Sequence, residues 1–380
     1  MSTPIYGVDQ LGLVRTQATF DTIAAFSTSH GFGFNSLKIT PELAFGEYAE
    51  HVGTASLQGE FQRKYGGKWG VECYHKVNGA ATAPQHGPFL LAAGMSFSGG
   101  IYSLNASQPT ALQIGRKSGT SLYELISGGW VEKIEIEQVG ASAAIFRASG
   151  GFATYGALLG VPVTSSSTYS SSATSIALAT ASKWKVLPGV YVAFGSEDNS
   201  GSGYLVTAVA SDGVTLTISP GLANGIGATQ TVTPVVPAAT ISGTVIGGVS
   251  DGLTLDSTSL GFISGKVTLE TGIHGLDKES TADRPNRLAR GKRRVMFEGE
   301  FYFLDENTPF LGGTHVSTLR SIAMRSGANT AGSRLIANIP SARFDMAPID
   351  IPDADEATYK IKALGRQNSA ANDEFTIDTN

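Results

Sequence analysis

Cys73 and His75 stand two residues apart in KWGVECYHK. On a strand they would share one face, and a thiol beside an imidazole could ligate a metal or supply a nucleophile and its base. Two ligands without a second pair make a weak metal site. The remaining histidines (30, 51, 86, 274 and 315) are scattered. A buried cysteine beside a hydrogen-bonded histidine is therefore the expected arrangement. The acidic run DIPDADE (350–356) gathers Asp350, Asp353, Asp355 and Glu356, but it lacks the glycine turn and the spaced ligands of a calcium loop. It reads as a solvated loop. GFGFNS (31–36) begins like a dinucleotide-binding turn, lacks the third glycine and is followed by no helical pattern. No nucleophile elbow, phosphate loop, HExxH or EF-hand occurs. No catalytic residue, cofactor or metal is expected, and the chain is not expected to be an enzyme.

The densest charge lies in RLARGKRRVMFEGEFYF (287–303), where Arg287, Arg290, Lys292, Arg293 and Arg294 precede an alternating run. Single-stranded nucleic-acid binders interleave aromatics with basic residues. Here the basic residues come first, at a junction of loop and strand. Charge complementarity favours a contact between copies of the chain, with Asp350, Asp353, Asp355 and Glu356 as the matching partners. A merely solvated loop end is the bland reading, since an exposed ion pair contributes only about 0–1 kcal/mol.

The elements around these residues read as strands. The 380 residues carry 16% charged side chains and a formal net charge of −5, unlike the basic excess of a polyanion binder. Glycine is abundant at 47, and aromatic and β-branched residues fall in short alternating runs, the pattern of a mainly β chain rich in turns. With one cysteine no intrachain disulfide can form. No secretory signal is expected at MSTPIYGVDQLG, and no run of about 18 apolar residues suggests a membrane span. Residues 55–65 and 68–77 alternate, with Gly66-Gly67 read as the hairpin turn between them. PFLLAAG (88–94) reads as a short helix. WVEKIEIEQ puts Ile134 and Ile136 inside and Glu135 and Glu137 outside. Between 161 and 240 the composition turns to Ser, Thr, Ala, Gly and Val, with short strands at VYVAF, GYLVTAV and VTLTISP, which predicts a small inserted β-domain. Beyond it, GFISGKVTLET and RRVMFEGEFYF alternate. Asn307 or Thr308 is placed to cap a helix with Pro309 at its first position. Val316, Leu319 and Ala323 would form its apolar face, and Gly327 would end it.

The order of elements recurs. GKWGV (67–71) returns as GKRRV (291–295), and PFL follows at 88–90 and again at 309–311. Strand, turn, strand, helix and further strands thus occur twice, about 220 residues apart, which favours a duplication. In this reading the first hairpin has a turn of about two residues and the second a loop of about twenty, longer than loops usually run without a function.

KYGGKWGVECYHKVNG…PFLLAAG (64–94), LYELISGGWVEKIEIE (122–137), GKRRVMFEGEFYF (291–303) and SRLIANIPSARFDMAPIDIP…NDEFTID (333–378) resemble the major tail tube proteins of long-tailed, siphovirus-type bacteriophages. The similarity covers roughly 40–160 and 255–380. It implies two tail-tube-like β-sandwich or barrel lobes, each with a flanking short helix. Residues 1–160 would form an N-terminal arm and first lobe, 161–240 a small β-domain on the tube exterior, and 241–380 the second lobe. It further implies a structural virion protein, made in the bacterial host cytoplasm, whose copies close into rings that stack into a DNA-conducting tail tube. Two lobes per chain suit a ring of three with pseudo-sixfold symmetry, a hexamer being the alternative. The partners implied are other copies, stacked rings, and the tape-measure, terminator and distal tail proteins. Genomic DNA would pass through the lumen without specific binding, and no membrane is involved. The alternative function is a tail-tip or surface appendage protein that binds a host glycan through the inserted domain.

Overall fold

The computed structural model describes residues 10–48, 59–107, 109–119, 122–159, 163–181, 185–247, 251–276, 284–302, 319–350, 357–369 and 372–380. The fold is mainly β, and a single short α-helix occurs among the described residues. The chain runs through β1 (Gln10–Gln17), β2 (Gly31–Phe32), β3 (Ser36–Tyr48), β4 (Gly59–Tyr74) and β5 (Lys76–Val77) into α1 (Gly87–Ala92). There follow β6 (Met95–Ser98), β7 (Ile101–Leu104), β8 (Ala111–Ser118), β9 (Leu122–Gly129), β10 (Lys133–Val139), β11 (Ile145–Phe152) and β12 (Thr154–Leu158). The inserted segment holds β13 (Ser175–Ala177), β14 (Tyr191–Phe194), β15 (Tyr204–Val209), β16 (Thr215–Ser219) and β17 (Val232–Pro234). The remainder comprises β18 (Thr244–Val245), β19 (Gly252–Leu255), β20 (Thr258–Leu260), β21 (Phe262–Glu270), β22 (Ile273–Gly275), β23 (Leu288–Arg290), β24 (Arg294–Tyr302), β25 (Arg320–Gly327), β26 (Arg334–Asp350), β27 (Thr358–Gly365) and β28 (Thr376–Asp378).

Period-two patterning builds the central sheet. On β10, Ile134 and Ile136 are buried while Glu135 and Glu137 lie on the opposite face. On β24, Val295, Phe297, Gly299 and Phe301 point inward. The strands lie in the order β26-β27-β24-β21-β10-β11-β4-β3, each antiparallel to its neighbours. This row is two quartets with one connection order. In β3-β4-β11-β10 the second strand lies beside the first, the fourth beside the second, and the third at the far side. In β21-β24-β27-β26 the same order recurs. The third strand of the first quartet meets the first strand of the second, from Lys133↔Glu270 to Val139↔Ser264.

Behind the first quartet lies a second sheet, β12-β9-β8-β1-β2. Its alternation serves two cores. Val14, Ile114 and Ile126 join the main core with Trp69, Phe89 and Phe146, whereas Leu13, Tyr123 and Leu125 point into a second core with Val190, Val192, Tyr204 and Val206 of the insert. The insert is its own sheet, β13-β16-β15-β14-β17, and its core continues onto the sheet beneath. α1 begins with Pro88 in its first turn, where the missing N–H costs nothing, and it buries Phe89 and Leu90. Phe89 stacks on Trp69 with centroids 5.4 Å apart. The buried Trp69 indole N–H donates to the carbonyls of Trp130 and Gly151 at 3.2 and 3.0 Å. β28 lies between β26 and β7, joining the second quartet to a hairpin of the first half.

Two expectations need correction. Gly66-Gly67 is not a hairpin turn, because β4 runs through it without a break and pairs with β3 along its length. Gly67 allows a close approach instead: a Cβ there would lie 2.3 Å from the Phe152 ring and 2.4 Å from the Thr40 carbonyl. The end of this hairpin falls in 49–58, outside the described residues. The helix expected from Pro309 to Gly327 is also revised. Residues 303–318, including the second PFL, lie outside the described residues, and Arg320–Gly327 is a strand held between β19 and β26. Ile322 and Met324 are buried at period two, and Leu319 is exposed. Gly327, with φ +89°, does end the element.

Candidate functional site

Cys73 and His75 do share a face of the sheet, and both are buried. Burial pushes the Cys73 thiol up to about 12, so it is protonated at neutral pH and is no nucleophile. Among the described residues His75 is not hydrogen-bonded as expected: neither ring nitrogen has a partner there, and nor does Nε2 of His86. The two rings meet edge to face at 4.3 Å, against Phe146. His86 precedes α1 and reaches His75 through the fold. Nothing in the spacing of eleven residues announced it. Burial holds both imidazoles neutral, His86 down to about 3 with Lys76 adding to the effect, and His75 well below its usual value. Among the described residues no three His, Cys, Asp or Glu side chains are placed to hold a metal ion.

The basic stretch divides into two uses. Arg290 and Arg293 turn inward and donate to the Asn105 carbonyl at 2.5 and 3.1 Å. Arg293 also donates to Asn372 at 2.7 Å and pairs with Glu374 at 2.7 Å, with only 12% and 17% of the two charged side chains exposed. Arg293 thereby clamps the turn after β7 to the segment before β28. Arg287, Lys292 and Arg294 are exposed. Of the proposed acidic partners, Asp350 ends β26 opposite Thr358, while Asp353, Asp355 and Glu356 lie outside the described residues.

The opposite face of the eight-strand row is polar, and its charges answer one another across strands. Arg147 on β11 pairs with Glu72 on β4 at 2.7 Å and with Glu137 on β10. Both partners hold its guanidinium charged, Glu137 foremost. Lys266 on β21 and Lys362 on β27 flank Glu298 on β24 at 3.1 and 3.5 Å. Lys266 is the main cause of the lowered Glu298 carboxyl. Lys360 faces Glu300 at 3.8 Å. Glu137, Lys266, Glu298, Lys362 and Asp345 are successive cross-strand partners, so one alternating row runs over the junction between the quartets. Sequence alternation located this face, but the cross-strand matches depend on register.

Among the described residues each end of the row leaves some backbone unpaired. β3 pairs only with β4 among the described strands. On its far side β26 pairs with β25 as far as Ala342, and the backbone from Arg343 to Asp350 has no described partner there. Pro41 on β3 fits an edge position, since proline cannot donate to a ladder. Unpaired edges of this length template further pairing. No protein-family model matches the chain, and no curated protein matches it.

Proposed function

We propose that the chain is a structural subunit of a bacteriophage tail tube. In this reading copies join through strand edges into rings, and stacked rings form the passage for DNA. The observation that carries it is the head-to-tail junction of the two quartets. The third strand of one quartet pairs with the first strand of the next, and among the described residues the backbone left unpaired at the two ends again belongs to a third strand, β26 from Arg343 to Asp350, and a first strand, β3. Repeating that junction between chains is a heterologous contact, which closes into a ring when the rotation allows. The matching order of the quartets supports an internal duplication, and three chains would then supply six quartets. An eight-stranded barrel is filled by its own side chains, so one chain alone encloses no passage. Three copies of the eight-strand row, at about 4.8 Å per strand, span a circumference equivalent to a diameter of about 37 Å before strand tilt widens it. The polar face suits the lumen, since the apolar opposite of the first quartet is covered by α1 and the second sheet. In this reading the insert, whose core continues onto the second sheet, lies on the exterior.

Negative-stain electron microscopy of the purified protein, alone and with other tail components, tests this reading. Rings or tubes with threefold-related subunits are expected. A protein that stays monomeric under all these conditions excludes it.

A further inference from the structure

One corner of the polar face breaks the rule that its charges are matched. Arg294 opens β24, and Arg366 follows β27, where its N–H donates to the Ser341 carbonyl; the two strands pair from Met296↔Leu364 onward, and both arginines line the same cavity. Arg343 on β26 lies across from Leu364, and Leu364 from Met296. All three arginines are exposed, and among the described residues their guanidinium groups have neither ion pair nor hydrogen bond. They line an open cavity of about 520 Å³ whose floor includes Met296 and Leu364. The carboxylates on its rim are Glu298, already engaged by two lysines, and Asp345, which faces Lys362. Like charges gathered on one corner of a sheet face repel one another. An anion lying over the three exposed guanidinium groups would relieve their mutual repulsion. Guanidinium groups clustered within a few strand spacings present many N–H donors to such an anion, in the fork geometry that suits phosphate oxygens.

We propose that Arg294, Arg343 and Arg366 form a phosphate-binding site for the backbone of a nucleic acid. The proposal rests on the tube reading in one respect, that this face lines the passage and so meets DNA. It refines that reading: the matched charges of most of the face let a polyanion slide, and one arginine corner per chain holds phosphates briefly. The net charge of −5 does not oppose this, because at about 0.1 M salt exposed charges beyond about 10 Å are largely screened.

The test uses the full chain kept unassembled, with monomer state checked by light scattering, and a fluorescent duplex of defined length. Anisotropy is recorded across a salt series for the wild type, for R294Q/R343Q/R366Q, for the triple lysine variant, and for K38Q/K68Q, which removes two other cations of the same face. Wild type should bind at low salt, and the glutamine variant should lose affinity with a salt slope smaller by about 2.7, three contacts at about 0.9 each. The lysine variant should keep most of that slope, and K38Q/K68Q should match wild type. Equal binding by wild type and the glutamine variant overturns the site, as does a wild type that binds no duplex. Binding of inorganic phosphate without duplex binding overturns the nucleic-acid assignment. A protein that forms rings yet binds no duplex loses only this proposal, and one that binds but never assembles loses only the tube reading.

Discussion

His75 and His86 are the side chains whose chemistry differs most from expectation. In the unfolded chain both take up a proton near pH 6.5. In the folded chain burial prevents this, down to about pH 3 for His86. The unfolded state therefore binds more protons below pH 6.5, and stability is lost as pH falls through that window, by up to about 1.4 kcal/mol per pH unit for each histidine. Chemical denaturation at pH 7.5 and pH 5 should show the loss, and His75→Phe with His86→Leu should flatten it. An unchanged acid slope in the double variant would assign the effect elsewhere. The arginines separate in the same way. Arg293→Ala removes a largely buried, charge-assisted network and should destabilise by about 2–3 kcal/mol. Arg294→Ala, at an exposed position, should stay within about 0.5 kcal/mol. Equal costs in thermal melts would contradict the different roles assigned to these neighbours.

Strand alternation was legible wherever a run had one buried face, as in Lys133–Val139 and Arg294–Tyr302. The continuity of β4 was legible too, though glycines masked it. Phe61, Tyr65, Trp69 and Val71 share one parity, and a two-residue turn at 66–67 would have reversed it. Gly67→Ala should destabilise by about 1–3 kcal/mol, because the added methyl meets Phe152 and a backbone oxygen rather than the open space of a turn. A neutral effect in denaturant titrations would restore the turn. β25 was illegible as a strand because Val316, Leu319 and Ala323 fit a helical face, and pairing with β19 and β26 overrides local preference. The insert carries a further expectation at this scale. Excising 164–236 uncovers Leu13, Tyr123 and Leu125, so the shortened chain should aggregate unless these are made polar. Full solubility of the simple deletion would show that the shared core matters little.

For the whole molecule, composition and alternation announced a mainly β chain. The sheet order could not be read, because pairing partners lie as far apart in sequence as β10 and β21, or β7 and β28. The basic stretch illustrates the limit. Its charge was visible, yet only the fold separates Arg290 and Arg293, spent inside the chain, from Arg294, which faces outward.

The seam between the quartets has a consequence for biosynthesis. β10 leaves the ribosome well before β21, with the whole insert between them. For that interval the first quartet exposes an edge whose partner does not yet exist. A nascent chain in this state can be satisfied by the β21 edge of a neighbouring polypeptide as readily as by its own, giving an exchanged pair instead of a closed subunit. Dense polysomes would favour that exchange, and fast translation through 161–240 would suppress it. The length of the insert therefore sets how long the β10 edge waits for its own partner.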